Sequence, residues 1–510
     1  MISWSTIRER LRVEELLAQK NTGSRDDREP APGTTIRRVV FDSRDVRPGD
    51  CFVAIRGELS DGHLFIDKAV FNGAHTIVCE AASANSREGF PDVAIVHVTD
   101  SRKALLAISS VMNDDPGEKM TLIGTTGTNG KTTVATLVRF VLQSQGTECG
   151  LVGTTGYGYR DIHYEARTTT PSPTRLYALL SEMNAVGVKA CSMEVSSHAL
   201  VQSRVRIRDF NVAIFTNLTR DHLDYHRTNE AYFEAKKKLF DGLDSTATAV
   251  VNADDESGRS VCRDTNAHVI TFGTGDDVDV KYKIVGGDPR ALRMQIDGAE
   301  SSFRLAGRFN AENLAAAYSA GVSLGISGSS VLYSLSAAPP VRGRFQVLAA
   351  TCNRSVIIDY AHTPDALENV LREARKHTPE GSKLWCIFGC GGDRDAGKRP
   401  IMGAIAEKHA DHVVLTDDNP RRENSSTIMS DIRSGMLNPD AATCIADRRK
   451  AIHYSADRTL DGDVIVVAGK GHETVQIIGA ERLAFDDSEV AGAAFDVKVP
   501  DESWKRTQEL

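Results

Sequence analysis

Apolar segments suited to buried strands alternate with helix-like segments along most of this chain. In the last third, RSVIIDY (354–360) precedes PDALENVLREARKH, and LWCIFG (384–389) precedes KRPIMGAIAEKHA. DHVVLTDDNP (411–420) and DVIVVAGKGHE (463–473) continue the pattern. Alternation of strands with helices is typical of parallel sheets covered by helices on both faces. We therefore predict an α/β fold.

The middle of the chain carries further strand candidates. They are MTLIG, CSMEV (191–195), VAIFTNL (212–218), AVVNA (249–253) and HVITFG (268–273). Glycine-rich, polar and charged clusters repeatedly follow such strands. In open α/β sheets the ligand crevice lies outside the carboxyl ends of the strands. The sequence thus puts its reactive side chains where this fold class binds ligands.

Two turn-rich segments divide the chain. MNDDPGEKM (112–120) is polar, and SAAPPVRGRF (336–345) pairs two prolines with two arginines. A chain of 510 residues suggests about three domains. We predict domains over residues 1–115, 116–344 and 345–510.

Composition excludes several classes of protein. Hydrophobic residues make up 41% and charged residues 25%, and the formal net charge is −8 without a long basic run. Nucleic acid is therefore not an expected partner. No stretch reaches the ~18 apolar residues of a membrane span, and residues 1–20 predict an amphipathic helix, not a signal peptide. Nine dispersed cysteines fit reduced thiols, so we expect a cytoplasmic protein.

The segment LIGTTGTNGKTTVATL (122–137) predicts a phosphate-binding loop between a strand and a helix. Thr125 stands where the common P-loop pattern has its first glycine, so this is a variant of that loop. Gly124, Gly127 and Gly130 let the backbone approach a polyphosphate. Lys131 can reach the terminal phosphates, and the helix points its N-terminal amides at the anion.

A magnesium–nucleotide site needs a few more ligands. Thr132 offers a hydroxyl, Glu194 ends the strand CSMEV, and His222 lies in TNLTRDHLDYH. Mg²⁺ in such sites takes one or two protein groups together with phosphates and water. We therefore expect Thr132, Glu194 and His222 near the phosphate loop.

Several motifs together resemble the Mur ligase family, ATP-dependent amide ligases of peptidoglycan precursor synthesis. They extend from about residue 41 to 473 and are FDSR, GTTGTNGKTT, MEVSSHAL, FTNLTRDHLDYH, GRFNAENLAAA, DYAHTPDAL, GCGGDRDAGKRP, DNPR and GKGHE. The last three resemble the MurE type, the UDP-N-acetylmuramoyl-tripeptide synthetases. The family writes its phosphate loop G-x-T-G-T-N-G-K-T-T, which this sequence matches from Gly124.

The resemblance implies three domains that close on each other. The N-terminal domain would hold a uridine nucleotide, the central parallel-sheet domain ATP, and the Rossmann-like C-terminal domain the incoming amino acid. It implies that the substrate-binding residues include Ser43, Thr169, Thr170, Ser196, Gln202 and Arg204. It implies that the nucleotide-binding residues are Gly127, Thr128, Asn129, Gly130, Lys131, Thr132, Thr133, Asn310, Asn313, Arg344 and Asp359.

Lys236 lies in YFEAKKKLF, and a run of three lysines on a helix is usually a solvated face. In the family, the lysine of the Y-x-x-A-K spacing carries a carbamate. Lys236 has that spacing, whereas Lys237 and Lys238 do not. The resemblance implies that Lys236 becomes a carboxylate-like ligand of a second Mg²⁺, and that Lys131, Lys236, His222 and Glu194 are catalytic.

The resemblance implies transfer of the γ-phosphate of ATP to a D-glutamyl carboxylate, followed by attack of an amine on the acyl phosphate. The acceptor site would contain Arg394, Asp418, Asn419, Pro420, Arg421, Gly469 and Glu473. Two arginines suit two carboxylates, and Arg421 would repel the distal ammonium of lysine. Meso-diaminopimelate has a carboxylate at each end and leaves an amine for Glu473, so we expect it to be the acceptor.

Two alternatives stay open at this point. One is a ligase of the same family that adds L-lysine. The other is a P-loop switch in which ATP hydrolysis drives a conformational change and no acceptor site is needed. In either form of the ligase we expect a monomer that acts on small molecules, including UDP-N-acetylmuramoyl-L-alanyl-D-glutamate.

Overall fold

The computed structural model describes residues 1–18, 29–57, 60–80, 92–288, 290–349 and 353–497. Three main sheets follow one another along these residues, and two further sheets have only two strands each, one of them formed by Ile2–Ser3 and Thr35–Ile36. The ends of two predictions, residues 19–20 of the N-terminal helix and 498–510 of the third domain, lie outside the described part.

The first sheet has four strands, all parallel, in the order Val39–Val40, Cys51–Val53, Thr76–Glu80 and Ala94–Val98. An N-terminal helix, Trp4–Val13, buries Trp4, Ile7 and Leu11, which recur at helical spacing. The other helices of this region are Ile66–Phe71 and Ser101–Met112.

The second sheet has eleven strands. Seven adjacent strands in its middle are parallel, and hairpins add antiparallel strands at both edges. The spatial order is Ile162–Tyr164, Gly156–Tyr159, Cys149–Gly153, Ala190–Glu194, Thr121–Thr126, Phe210–Phe215, Thr248–Asn252, His268–Gly273, Val280–Asp288, Ala291–Ile296 and Ala299–Phe303.

Helices cover both faces of this sheet. One face packs on a core that includes Val134, Leu314 and Leu335, and the other on a core that includes Leu179 and Leu239. The helices are Lys131–Ser144, Pro173–Ala185, Ser197–Val201, Leu223–His226, Asn229–Asp241, Gly258–Val261, Asn310–Ser323 and Gly328–Ala337.

The third sheet has six strands, parallel except for its first. Their order is Gln346–Ala349, Ser355–Asp359, Val464–Ala468, Leu384–Phe388, His412–Leu415 and Thr443–Cys444. The helices Pro364–Lys376, Lys398–His409, Ser425–Arg433, Arg448–Ala456 and Asp487–Ala494 cover it, and Val475–Ile478 pairs with Glu481–Ala484 in a separate hairpin.

The predicted α/β class is therefore confirmed, and so are parallel sheets with helices on both faces. Within the described residues, no helix combines the length and apolar character needed to cross a membrane.

Candidate active site

The phosphate loop joins the middle of the second sheet to the helix that begins at Lys131. Gly127 has φ 146° and Gly130 has φ 84°, and both values favour glycine. A methyl group on Gly127 would overlap Thr216 Oγ1, and one on Gly130 would overlap Asn313 Oδ1. The loop therefore closes tightly enough to aim its amides at a bound phosphate.

Two lysine amines meet at one carbonyl oxygen of this loop. Lys131 Nζ donates to Gly127 O at 2.9 Å and to Thr128 O at 2.7 Å, and Lys236 Nζ donates to Gly127 O at 2.8 Å. Burial lowers the pKa of Lys131 below its ordinary value. Burial, with the charge of Lys131 beside it, lowers the pKa of Lys236 well below its ordinary value. Lys236 is only 1% exposed, so it is not on a solvated face.

Thr132 and Asp359 accept hydrogen bonds from two residues that follow the second sheet in the chain, Arg344 and Phe345. Arg344 Nη2 donates to Thr132 Oγ1 at 2.8 Å, and its guanidinium lies 4.6 Å from the centre of the Tyr360 ring. Asp359 accepts from the amide of Phe345 at 2.6 Å, and burial raises its pKa to about 6. Arg344 therefore reaches the start of the phosphate-loop helix from beyond the second sheet, and Asp359 lies close enough to feel the charge of Arg344.

Glu194 binds a neighbouring turn with both carboxylate oxygens. Its Oε1 accepts from the amide of Thr154 at 2.7 Å, and its Oε2 accepts from Thr154 Oγ1 at 3.0 Å. Thr169 Oγ1 lies 3.3 Å from Thr154 Oγ1. Thr170 Oγ1 donates to Glu194 O at 2.8 Å and accepts from the amide of Ser196 at 3.0 Å. Three motifs distant in sequence thus form one network around Glu194.

His222 stands on a strained backbone, with φ 53°. Its ring centre lies 4.9 Å from that of His198 and 6.1 Å from that of Tyr232. Burial lowers the pKa of His222 to about 4, although the nearby Asp221 opposes the shift. The imidazole is therefore neutral at physiological pH and able to act as a ligand.

Asn310 and Asn313 lie on one face of the helix Asn310–Ser323. Asn310 donates to Ala306 O at 2.5 Å, and its own Oδ1 accepts from Asn313 Nδ2 at 2.8 Å. Asn310 therefore supports Asn313, which faces the loop at Gly130.

A cavity of about 470 Å³ brings most of the predicted nucleotide and metal residues together. Those that line it are Thr128, Asn129, Gly130, Lys131, Thr132, Thr133, Thr169, Glu194, Ser196, His222, Lys236, Asn313, Arg344 and Asp359. Sequence reasoning missed other lining residues, although most follow strand ends: Asn217, Thr219, Asp221, Asn252, Asp254, Asp255, Glu312, Tyr360 and Asp365.

A second cavity, of about 1600 Å³, lies between the first and second sheets. Ser43, Gln202 and Arg204 line it, whereas Thr169 and Ser196 line the smaller cavity. Thr170 lies between the two, because its carbonyl oxygen accepts from Arg204 Nη1 at 2.7 Å. The predicted substrate residues thus extend from one cavity to the other. The larger cavity is also lined by basic side chains that sequence reasoning missed: Arg38, Arg44, Arg47, Lys68, Arg102, Arg167 and Arg175.

The predicted acceptor residues meet at the carboxyl ends of the third sheet. Asn419 Nδ2 donates to Glu473 Oε2 at 2.9 Å. Gly469 has φ 113°, and a methyl group there would crowd Asp418 Oδ2 at 2.6 Å. The buried Lys470, which sequence reasoning did not select, donates to the same Glu473 Oε2 at 2.8 Å.

The two acceptor arginines contact backbone oxygens. Arg421, whose φ is 51°, donates to Gly392 O at 2.8 Å, and Arg394 donates to Asp393 O at 3.2 Å. A methyl group on Gly392 would overlap Pro420 O, so the loops that carry the two arginines are packed together.

Three contacts join the region of the third sheet to the phosphate-loop region. Asn129 Nδ2 donates to Asp365 Oδ2 at 2.9 Å, and Thr219 Oγ1 lies 3.4 Å from the same oxygen. His472 Nε2 lies 3.2 Å from Thr154 O, beside the residue that binds Glu194. The acceptor loop therefore adjoins the cavity that contains the phosphate loop.

The donor set of the smaller cavity suits a metal that also binds phosphate oxygens. Within the described ranges, no three His, Cys, Asp or Glu side chains form a self-sufficient metal site. Thr132, Glu194, His222 and Lys236 instead offer a hydroxyl, a carboxylate, an imidazole and an amine around one cavity. Such a sparse set fits Mg²⁺, which keeps water and substrate phosphate among its ligands.

Comparison with known proteins identifies related chains over most of the sequence. The model of the Mur ligase family catalytic domain matches residues 35–111, the Mur ligase middle domain 125–321, and the Mur ligase glutamate ligase domain 343–471. A UDP-N-acetylmuramoyl-L-alanyl-D-glutamate–2,6-diaminopimelate ligase of Cytophaga hutchinsonii is 42% identical over 454 residues, or 89% of this chain and 93% of that protein.

Solved structures agree. A structure of a UDP-N-acetylmuramoyl-L-alanyl-D-glutamate–2,6-diaminopimelate ligase has a TM-score of 0.65 and 31% identity, covering 97% of this chain and 99% of its own. The MurF ligase of Thermotoga maritima, solved with ADP, shares the fold with a TM-score of 0.58 at 21% identity, over 85% of this chain and 93% of its own. This chain therefore belongs to the Mur ligase family.

Proposed function

We propose that this protein is an ATP-dependent ligase that joins meso-diaminopimelate to the D-glutamyl carboxylate of UDP-N-acetylmuramoyl-L-alanyl-D-glutamate. The observation that carries the proposal is the contact between His472 and Thr154, because it puts the predicted acceptor loop against the residue that binds Glu194. A switch that only hydrolysed ATP would need no amino-acid site at this position. The names of the relatives support the same activity.

The two cavities suit the two ends of a long substrate. The larger one, with its arginines and Ser43, would take the uridine diphosphate. Thr170, which touches both Arg204 and Glu194, would lie beside the peptide where it passes between the cavities. The glutamyl carboxylate would then arrive next to the phosphate loop.

Bond formation would take two steps. A carboxylate oxygen attacks the γ-phosphorus of ATP, and ADP leaves. The amine of the acceptor then attacks the acyl carbon, loses a proton and displaces inorganic phosphate. Lys131 offsets the charge of carboxylate and phosphates as they approach, and the glycine-rich loop orients the phosphate chain.

Thr132, Glu194, His222 and the carbamylated Lys236 would hold two Mg²⁺ ions. When bound, Mg²⁺ neutralises phosphate charge. Only an unprotonated amine reacts with CO₂, and the lowered pKa of Lys236 supplies one. The Lys236 side chain is only 1% exposed and lines the smaller cavity, so a carbamate there would be shielded from bulk water and still face the bound ions.

Acceptor choice follows from charge. Arg394 and Arg421 offer two guanidinium groups, while Asn419 and Glu473 form a hydrogen-bonded amide–carboxylate pair. Meso-diaminopimelate has two carboxylates for the arginines and an amine for Glu473. Lysine would put an ammonium group near Arg421.

Residues 1–115, 116–344 and 345–510 would be the three domains, because each contains one of the three main sheets. We further propose that the protein is a cytoplasmic monomer, and its proposed nucleotide substrates are cytoplasmic metabolites.

One assay tests the proposal. Purified protein is mixed with ATP, Mg²⁺ and UDP-N-acetylmuramoyl-L-alanyl-D-glutamate, and phosphate release is measured with meso-diaminopimelate or L-lysine. We expect release that depends on both substrates and is faster with meso-diaminopimelate. Equal or faster turnover with lysine would refute the acceptor assignment, and release indifferent to both substrates would refute the ligase.

A further inference from the structure

Lys470 is the most enclosed cation of the acceptor region. Its side chain is 0% exposed, although it lies between two loops that carry predicted acceptor residues. A buried ammonium is costly unless its charge and its donors are all paired. The surroundings of Lys470 therefore indicate what the residue does.

All three donors of the Lys470 ammonium have acceptors. Nζ donates to Glu473 Oε2 at 2.8 Å, to Val475 O at 2.7 Å and to Asn419 Oδ1 at 3.3 Å. An ammonium has three N–H groups and no more. No donor is left for a substrate, so Lys470 acts through the side chains it holds.

Those bonds determine which polar atoms remain for a ligand. Glu473 Oε2 is occupied by Lys470 and Asn419, whereas within the described residues Glu473 Oε1 has no hydrogen bond. The Glu473 side chain is 31% exposed, so this oxygen is accessible. Asn419 Oδ1 also accepts from the amide of Ile477 at 2.9 Å, which fixes the orientation of its amide group.

We propose that Lys470 is a positioning residue that presents Glu473 Oε1 to the distal amino group of the acceptor. It neutralises the inner oxygen of Glu473 and leaves the outer one for the ligand. The inference rests on the proposed function, because the amino group belongs to meso-diaminopimelate. It adds a specificity-determining residue to that function.

The test compares two acceptors that differ only in the distal amine, meso-diaminopimelate and 2-aminopimelate. Initial rates are measured at saturating ATP and uridine substrate for wild type and Lys470→Met. A hydrogen bond to a charged group corresponds to roughly tenfold or more in rate. We expect Lys470→Met to lower kcat/KM about tenfold more for meso-diaminopimelate than for 2-aminopimelate, with the KM for ATP within about twofold of wild type.

The matched control is Lys376→Met. Lys376 also pairs with a glutamate three positions away in the third sheet's domain, at 2.9 Å from Glu373, but its side chain is 52% exposed. We expect Lys376→Met to leave kcat/KM unchanged for both acceptors. If Lys470→Met does not fold, as judged by its melting temperature, Lys470→Gln keeps a buried donor in a shorter side chain and should show the same change in selectivity.

The outcomes separate the two claims. A wild-type enzyme that does not use meso-diaminopimelate refutes the proposed function before any variant is made. The positioning role alone is refuted if the wild type uses meso-diaminopimelate but folded Lys470 variants keep the same selectivity. In that case kcat/KM falls equally for both acceptors, or does not fall at all.

Discussion

At the scale of single residues, two lysine amines with different roles bind the same carbonyl oxygen of the phosphate loop. Lys131 lies at the start of the helix, and Lys236 reaches the same carbonyl, Gly127 O, from another helix. Burial lowers the pKa of Lys236 well below its ordinary value, and repulsion by the nearby charge of Lys131 lowers it further. A neutral, buried lysine amine can react with CO₂, whereas the protonated amine of a surface lysine cannot.

Lys236→Ala should therefore lower kcat by roughly 100-fold, a typical cost of losing one preorganised electrostatic group. In ¹³C-labelled bicarbonate, wild type should show a carbamate signal by NMR that the variant lacks. Lys237→Ala is the matched control, because Lys237 pairs on the surface with Asp241 and Asp264. A carbamate signal that survives in Lys236→Ala would contradict the assignment.

Glu312 gives a pH-dependent prediction. Burial raises its pKa to about 7, and the charges of Asp254 and Asp255 add to the shift. A raised carboxyl pKa stabilises the fold below the unfolded value of 4.5, and that stability is lost as the pH rises through 7.

Glu312→Gln keeps an acceptor for Asn252 but cannot ionise. It should gain stability relative to wild type at pH 8, by about 1 kcal/mol, and not at pH 5. Melting temperatures of both proteins at the two pH values provide the measurement. The same difference at both values would show that Glu312 does not titrate in this range.

At the scale of elements, sequence patterns predicted five of the eleven strands of the second sheet, all among its parallel strands. HVITFG (268–273) coincides with the strand His268–Gly273, and CSMEV (191–195) is displaced by one residue. The prediction for 212–218 ran too far, because the strand ends at Phe215. Thr216 and Asn217 leave the sheet to bind the phosphate loop, and such a tertiary contact has no local signal.

The antiparallel hairpin Ala291–Phe303 was not predicted, although it has a sequence signal. Asp297 and Gly298 both have positive φ, at 48° and 79°, as a two-residue hairpin turn requires. Asp365 and Lys470 were missed for another reason. Asp365 binds Asn129, 236 residues away. Lys470 binds Asn419, 51 residues away, besides its chain neighbours Glu473 and Val475, so only the folded chain reveals these long-range bonds.

The bond between Asn129 and Asp365 links the phosphate loop to the first turn of the helix Pro364–Lys376. Substituting either residue by alanine should lower kcat/KM for ATP several-fold, and the double variant should lose little more, since coupled partners give interaction energies of about 0.5–3 kcal/mol. Pairing Asn129→Ala with Asp411→Ala is the control, because Asp411 binds Arg375 instead. Additive losses for Asn129 and Asp365 would contradict the link.

At the scale of the whole molecule, family and enzyme class were predicted from motifs and fold class from the alternation of strands with helices, and the comparisons confirm all three. Motifs indicate the family and the enzyme class because their residues follow strands. The sheet brings the ends of those strands, and so the motifs, together at one site. The assignment of site residues and the domain limits stay predictions. The basic lining of the larger cavity was missed because its residues come from separate segments of both flanking sheets.

The smaller cavity is lined by residues from both the second and the third sheet. A nucleotide that binds only when both are folded should stabilise them together, by about 2.7 kcal/mol at 100 times its Kd. In calorimetry, a non-hydrolysable ATP analogue should therefore raise the melting temperatures of the two regions and bring their unfolding transitions closer together.

Lys131→Met is the control for this experiment, because it removes the cation that we propose binds the phosphates. Its transitions should not respond to the analogue at the same concentration. A shift of one transition only, in wild type, would mean that the nucleotide contacts one sheet alone.

The contact between His472 and Thr154 has a consequence for inhibition. It lies where the second and third sheets' regions meet, beside the cavity that residues of both regions line. The larger cavity is separate from this contact, so a small molecule that separates His472 from Thr154 would leave the larger cavity free to bind its ligand while keeping the acceptor loop away from the phosphate loop. A higher concentration of the uridine substrate would not displace such an inhibitor.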